Sequence, residues 1–430
     1  MSREPRTPSL PQLAVTVWSS SRQPTGRWLI GRLPAWRVAA VAGLVLLAAC
    51  TGGRTDAGGP SGSVPPTTAP ERPPEAFYEV PDPLPPGPPG ALIRATPIAA
   101  LSVLPDSRAW AILYHSRDFH GRDVAVSGVV IAPPGPAGPD GRPVVVWGHG
   151  SVGLADQCAP SHGGLMGAFG PWLGGLLQQG VVAAATDYQG LGTPGLARSV
   201  IGLSAGRAVL DVARAARGLD AGASGRVVLD GHSEGGHATL WAAELAGAYA
   251  PELQVLGVAA SAPGAELATT LKLATDRPTT VTSGAMLIVM AWSDAYRLPL
   301  DVLTPAGRKA VDRVRSTCLE ELAKDPEHAA VRLSDLLTTP PWPALLARNT
   351  PGHAATPAPI LLTQGADDDR VTPGATRALV QRLCRLGDTV ELRTWRDVGH
   401  FDIPKVAAAD VVAWIGDRLA GRPARTTCRR

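Results

Sequence analysis

The chain has 430 residues, 45% of them hydrophobic, with Gly 48, Pro 42 and a formal charge of +3. That positive charge belongs to the first 37 residues, where Arg3, Arg6, Arg22, Arg27, Arg32 and Arg37 face one acid, Glu4, so that from residue 50 onward 34 basic groups meet 36 acidic ones. A slightly acidic body without a basic cluster excludes nucleic acid as a partner on electrostatic grounds.

After the arginines comes the apolar run Val38 to Ala49, closed by Cys50. Twelve apolar residues are too few to span a bilayer as a helix but suit the core of a signal peptide, so residues 1–49 read as an export leader. The end of the run, Leu47-Ala48-Ala49-Cys50, resembles a bacterial lipobox, in which the cysteine is lipidated and becomes the new first residue; the alternative is an ordinary secretory signal cut near Ala49. The expected location is therefore outside the cell, either lipid-anchored on the outer face of the membrane through Cys50 or secreted. Residues 50–75 are mostly Gly, Pro, Thr and Ser and read as a flexible tether. If Cys50 carries lipid, Cys158, Cys318, Cys384 and Cys428 remain, an even number suited to two disulfides in an oxidising compartment; the residues alone permit three pairings.

Ordered structure is predicted to begin near Phe77-Tyr78. A hairpin-like pair, Ala109 to His115 and Val124 to Ile131, flanks the turn residues 119–123. Strands and helices then alternate: strand Val144 to Trp147, helix Trp172 to Gln179, strand Val181 to Thr186, helix Ala205 to Gly218, strand Val227 to Asp230, helix Ala238 to Ala250 and strand Val255 to Ser261. From residue 263 to 357 the pattern gives way to mixed, largely helical sequence with several prolines. Alternation resumes with strand Ile360 to Thr363, helix Gly374 to Leu386, strand Val390 to Trp395 and helix Ala407 to Leu419. The expected fold class is α/β: a mostly parallel, doubly wound sheet whose site lies at the carboxyl ends of the strands. The interruption is too long for a loop and reads as an inserted cap, which divides the body into 76–262, 263–357 and 358–430. Within the cap, Ala285 to Trp292 has two readings, the lining of a lipid tunnel or a buried helix.

Residues 226–245 read RVVLDGHSEGGHATLWAAEL, placing Ser233 in the order G-H-S-E-G. Such a motif carries chemistry when a strand enters a tight turn and a helix leaves it, holding the serine in strained backbone with its hydroxyl exposed. Val227 to Asp230 supplies the strand and His237 to Leu245 the helix. A second G-x-S-x-G, around Ser204, has no strand leading into it and reads as a helix-start or packing serine. A serine hydroxyl needs an imidazole to take its proton and a carboxylate to orient that imidazole. His400, after the last strand in R-D-V-G-H-F-D, is the expected base; His237 sits on the helix beyond the nucleophile and reads as structural. The acid is expected among Asp367, Asp368 and Asp369, with Asp368 preferred because it fits G-x-x-D-x-x-V, a pattern recurrent at this place in related hydrolases. For the oxyanion, the backbone N–H of Glu234 and a donor from the turn G-H-G-S-V-G, with Ser151 preferred, are the candidates.

Taken together, L-Y-H-S-R-D, V-S-G-V-V-I-A-P, W-G-H-G-S-V-G-L-A-D-Q-C-A-P-S, T-D-Y-Q-G-L-G-T-P-G, G-H-S-E-G-G-H and W-I-G-D-R-L-A-G-R-P make residues 77–428 resemble the secretory lipase family of α/β-hydrolases. The resemblance implies a lidded esterase or lipase with Ser233, Asp368 and His400 as its triad. It also implies a Cys158–Cys318 disulfide tying cap to core, and so favours Cys384 with Cys428. Two departures stand out: relatives commonly carry Gln where this chain has Glu234, and an aromatic-containing segment where it has Ala197-Arg198-Ser199-Val200.

Two other readings stand beside ester hydrolysis: a cell-envelope acyltransferase using the same triad, and a catalytically silent lipoprotein that binds lipid in the capped cavity. No cofactor is expected. Nor is a metal, since the histidines lack ligand spacing such as H-E-x-x-H. The expected partners are an acyl ester or lipid substrate and the membrane, with no obligate protein partner.

Overall fold

The computed structural model describes residues 69–100, 106–169, 173–275, 282–324 and 331–428. The leader, Cys50 and most of the tether lie outside the described residues.

Nine strands form one sheet in the order β1-β2-β3-β5-β4-β6-β7-β8-β9. The antiparallel part is β1 (Leu92–Ile98), β2 (Arg108–Arg117) and β3 (Asp123–Ala132), with β3 running antiparallel to β5 (Val182–Thr186). From β5 the sheet is parallel through β4 (Arg142–Gly148), β6 (Ala223–His232), β7 (Gln254–Ser261), β8 (Ile360–Gly365) and β9 (Val390–Trp395). The predicted hairpin is β2–β3, extended at both ends. β1 is an addition, because L-I-R-A-T-P-I mixes polar residues and a proline into a strand that pairs with β2 as the first strand of the sheet order.

Alternate side chains of each central strand enter different apolar layers, as the pleat requires. Val144, Val146, Val227 and Leu229 pack under α3 (Gly202–Arg217), α4 (Glu234–Tyr249) and α12 (Pro373–Leu386). Val145, Val228 and Leu361 pack on the other face with α2 (Leu173–Leu177), α13 (Ile403–Val406) and α14 (Ala408–Leu419), while α1 (Gly164–Phe169) covers the β3–β5 end. Both faces are therefore wound, as the alternation predicts. Helix α4 begins at Glu234 rather than Ala238: Gly235 and Gly236 weaken the local helical signal, yet the turn before them needs both.

Between β7 and β8 lie α5 (Leu267–Thr275), α6 (Thr282–Tyr296), α7 (Pro305–Lys309), α8 (Val311–Ser316), α9 (Leu319–Leu322), α10 (Leu333–Thr338) and α11 (Trp342–Asn349). They share an apolar cluster in which Trp292 stacks on Trp342 at 6.3 Å, and into which Leu154, Ala197, Val200 and Ile201 of the sheet-side loops are inserted. None of the described helices is long and apolar enough to cross a membrane.

Candidate active site

Strands β4 and β6 are parallel neighbours with Gly148 opposite Gly231, so the turns leaving their carboxyl ends lie side by side. The turn after β6 doubles back immediately into α4. Ser233 stands at its apex with φ 56° and ψ −114°, a backbone state that non-glycine residues rarely adopt and that a packed surrounding must enforce. Three hydrogen bonds pin it: the Ser233 N–H donates to Ser261 O at 2.9 Å, and Ser233 O accepts the N–H of His237 and of Gly264, each at 3.0 Å. Glycine is required beside it, because a Cβ on Gly235 would stand 1.8 Å from the Gly148 carbonyl oxygen. The strand–turn–helix expected around Ser233 is thus present, whereas Ser204 is buried near the start of α3.

Loops from two further strands complete the group. His400, from the loop after β9, accepts the Ser233 hydroxyl on Nε2 at 3.0 Å and donates from Nδ1 to Asp368 Oδ2 at 2.8 Å. Asp368, from the loop after β8, is buried; its Oδ1 accepts the N–H of Arg370 at 2.9 Å and of Val371 at 2.8 Å, and its Oδ2 also accepts from Gln364 at 3.1 Å. Asp367 and Asp369 are exposed to solvent. Three donors besides the ring fix one carboxylate, the carboxylate fixes the ring, and the ring presents its Nε2 lone pair to the serine.

His232, not singled out by the sequence, tilts against His400 with ring centroids 4.8 Å apart and donates from Nε2 to the His400 carbonyl oxygen at 3.0 Å. Burial first, and then the neighbouring His400, pushes it down to about 3, so it is a neutral prop beneath the His400 loop. The histidine of a G-H-S motif is a signal that could have suggested it. His237 is buried on α4 and donates from Nε2 to Asn349 O at 2.7 Å, holding α11 to the sheet domain and away from the reacting atoms.

Ser151 lies in the turn after β4 and lines the same cavity as Ser233 and Glu234. Its hydroxyl donates to Glu234 Oε2 at 2.5 Å. The two residues singled out for the oxyanion are therefore brought together, and bonded to each other through side chains. Cys158 is joined to Cys318 and Cys384 to Cys428. The first bridge fastens the segment after β4 to the start of α9, where Leu319 N–H also donates to Val152 O at 2.7 Å.

The cavity over Ser233 measures about 390 Å³, within the range of small-molecule sites. Leu267, Leu271, Ala285, Ile288 and Leu319 line it from the helical segment, and Trp147, Phe169 and Val200 from the sheet side. Helix α6, read in the sequence as a tunnel lining or a buried helix, is mostly buried through Met286, Val289, Met290 and Trp292, and turns Ala285 and Ile288 to the cavity. Among the described residues no cluster of His, Cys, Asp or Glu is arranged to hold a metal ion.

A strained serine at the end of a central parallel strand, in line with a histidine and a buried carboxylate beneath an apolar cavity, is the arrangement of a serine hydrolase of the α/β-hydrolase class. The chain belongs to the secretory lipase family, whose profile matches residues 172–427. Among its relatives, the probable inactive lipase MT1628 of Mycobacterium tuberculosis (strain CDC 1551 / Oshkosh) is 25% identical over 78% of this chain and 79% of its own length. Lipase A of Arthroderma benhamiae is 26% identical over 83% of this chain and 81% of its own. Candida antarctica lipase A in its closed state superposes with a TM-score of 0.70 at 21% identity, covering 82% of this chain and 87% of that one, a likeness of fold.

Proposed function

We propose that this protein cleaves carboxylic acyl esters through an acyl-enzyme on Ser233. The observation that carries the reading is the unbroken chain Ser233 Oγ, His400, Asp368 at the floor of an apolar cavity, with spacings of 3.0 and 2.8 Å. His400 would take the hydroxyl proton as Ser233 Oγ bonds to the ester carbonyl carbon, and return it to the departing alcohol; Asp368 holds the ring in the tautomer that makes this possible. Water, deprotonated by the same imidazole, would then release the acid. The backbone N–H of Glu234 at the start of α4, and a donor from the Ser151 turn, would receive the oxyanion, where one such donor is worth about 3 to 4 kcal/mol.

The acyl chain would lie along Leu267, Leu271 and Ile288, with residues 263–357 serving as a lid. Family membership fits export, and the Leu47-Ala48-Ala49-Cys50 sequence favours a lipid anchor at Cys50 on the outer face of the membrane. One relative is named a probable inactive lipase, so catalysis here rests on this chain's own geometry.

The test is hydrolysis of p-nitrophenyl esters from acetate to palmitate, beside Ser233→Ala, in which kcat should fall on the order of 10⁶-fold. Wild-type turnover that survives the substitution removes Ser233 from the mechanism. Ester formation on an added alcohol, in place of free acid, would identify an acyltransferase.

A further inference from the structure

The two departures noted in the sequence, Glu234 and the 197–200 segment, touch each other. Glu234 is 7% exposed, although it carries a carboxylate. Its Oε1 accepts the Val200 N–H at 2.9 Å, and its Oε2 accepts the hydroxyls of Ser199 at 3.0 Å and Ser151 at 2.5 Å. Three donors and a place in the first turn of α4 compensate the burial of the charge. The segments so joined are 34, 35 and 83 residues away in sequence.

We propose that the Glu234 side chain is a positioning residue that sets the oxyanion site and the adjoining acyl wall. One carboxylate holds three pieces in register: the nucleophile turn that carries it, the Ser151 turn and the Ser199–Val200 wall. Val200 lines the cavity with φ 56°, a left-handed backbone that a β-branched residue does not hold without external bonds, and its N–H is the group Glu234 receives. Because the Ser151 hydroxyl hydrogen is committed to Glu234, Ser151 itself can offer the oxyanion only its backbone N–H. The side chain therefore fixes the spacing between the two donors named above.

A glutamine can keep the clamp. Its oxygen accepts the Val200 N–H while its NH₂ donates to both serine oxygens, whose hydroxyls turn round. An alanine cannot, and leaves the Val200 N–H and two hydroxyls without their acceptor.

The inference rests on Ser233 being the nucleophile, so the wild type and Ser233→Ala are assayed first; a wild type that hydrolyses no ester counts against that reading. The clamp is judged separately by amide hydrogen exchange of the full-length protein over residues 197–201, which does not depend on turnover. Glu234→Ala should speed exchange there at least tenfold and lower kcat for p-nitrophenyl acetate by about 10²-fold, the loss expected when one oxyanion donor is misplaced. Glu234→Gln should leave exchange unchanged and kcat within about fivefold. Ser151→Ala should lower kcat in the wild type but add little in Glu234→Ala, since both remove one bond. Unchanged exchange in Glu234→Ala, or Glu234→Gln as impaired as Glu234→Ala, overturns the proposal.

Discussion

The two walls of the cavity are built by opposite means. Beside the apolar Trp147, Phe169 and Val200, the sheet side presents Ser151, Ser199, Ser233 and His400 on turns and loops and Glu234 in the first turn of α4, each bonded to another of them or to the backbone. The helical side presents Leu267, Leu271, Ala285 and Ile288, held by packing. Moving a proton and receiving an oxyanion require atoms fixed to a fraction of an ångström, which buried hydrogen bonds supply. Receiving an acyl chain requires only apolar area of the right shape. Changes on the sheet side should therefore lower kcat for every ester, and changes on the helical side should alter which ester is preferred.

The strongest way to break that division is at the acid. Asp368→Asn should reduce kcat about 10⁴-fold, equally for acetate and palmitate, because an amide at Oδ2 imposes the wrong tautomer on His400. Asp367→Asn, one residue away and exposed, should stay within twofold of wild type. Steady-state kinetics on the two esters decides; a loss confined to the long ester would place Asp368 in substrate binding.

The Cys158–Cys318 bridge joins the walls. It closes a sequence separation of 160 residues against 44 for Cys384–Cys428, so the chain-entropy relation gives about 5 kcal/mol for the first and about 4 kcal/mol for the second. The paired Cys→Ser variants should differ in that order in urea midpoint. Removing the first should also lower kcat, since the segment it anchors bonds Val152 beside Ser151. Equal kcat in the two variants would show that the helical side is uncoupled from the turn.

The sheet side carries a liability of its own. Asp230, on β6 three residues before the nucleophile, is fully buried, and burial raises its carboxyl to about 7 although Gly231 N–H lowers it in part. Between the ordinary aspartate range and 7 the unfolded chain loses this proton while the folded chain keeps it, so stability falls as pH rises through that window and levels off above it. The full difference is at most about 4 kcal/mol. Asp230→Asn removes this slope, and should raise Tm relative to wild type at pH 8 while matching it at pH 4. A constant offset between the two pH values would assign the effect to packing.

The contrast between the walls also governs what the sequence could reveal. Val144 to Trp147 and Val227 to Asp230 were legible as strands because parallel strands buried on both faces are short apolar runs ended by glycine. Ser233 and His400 follow from chain order and from what a serine nucleophile needs, while Asp368 among its three neighbouring aspartates was preferred only on a pattern recurrent in related hydrolases. By contrast, α7 to α10 are four to six residues long, too short to show a period. The bonds of Glu234 to Ser151 and Ser199 span 83 and 35 residues, and no local pattern encodes them. The disulfide pairing likewise needed the fold, or a relative, to choose among three.

The smallest expected effect tests the helical wall directly. Ile288 sits on α6 with its side chain partly exposed to the cavity, between the buried Leu287 and Val289. Ile288→Trp enlarges a residue that faces the cavity rather than the packed interior of α6, so it should fold with little loss. It narrows the cavity from its helical side and substitutes none of Ser233, His400, Ser151 and Glu234. An acetate ester, whose acyl group is a single methyl, has little area to lay against this wall, and its kcat should change less than twofold. Palmitate must find another path or bind with its tail displaced, and the loss of one or two methylene contacts, about 1 to 2 kcal/mol, should lower its kcat/KM about tenfold, mainly through KM. If kcat for acetate falls as steeply as that for palmitate, the helical wall helps to hold the catalytic geometry, and the division of labour between the two walls fails at its simplest point.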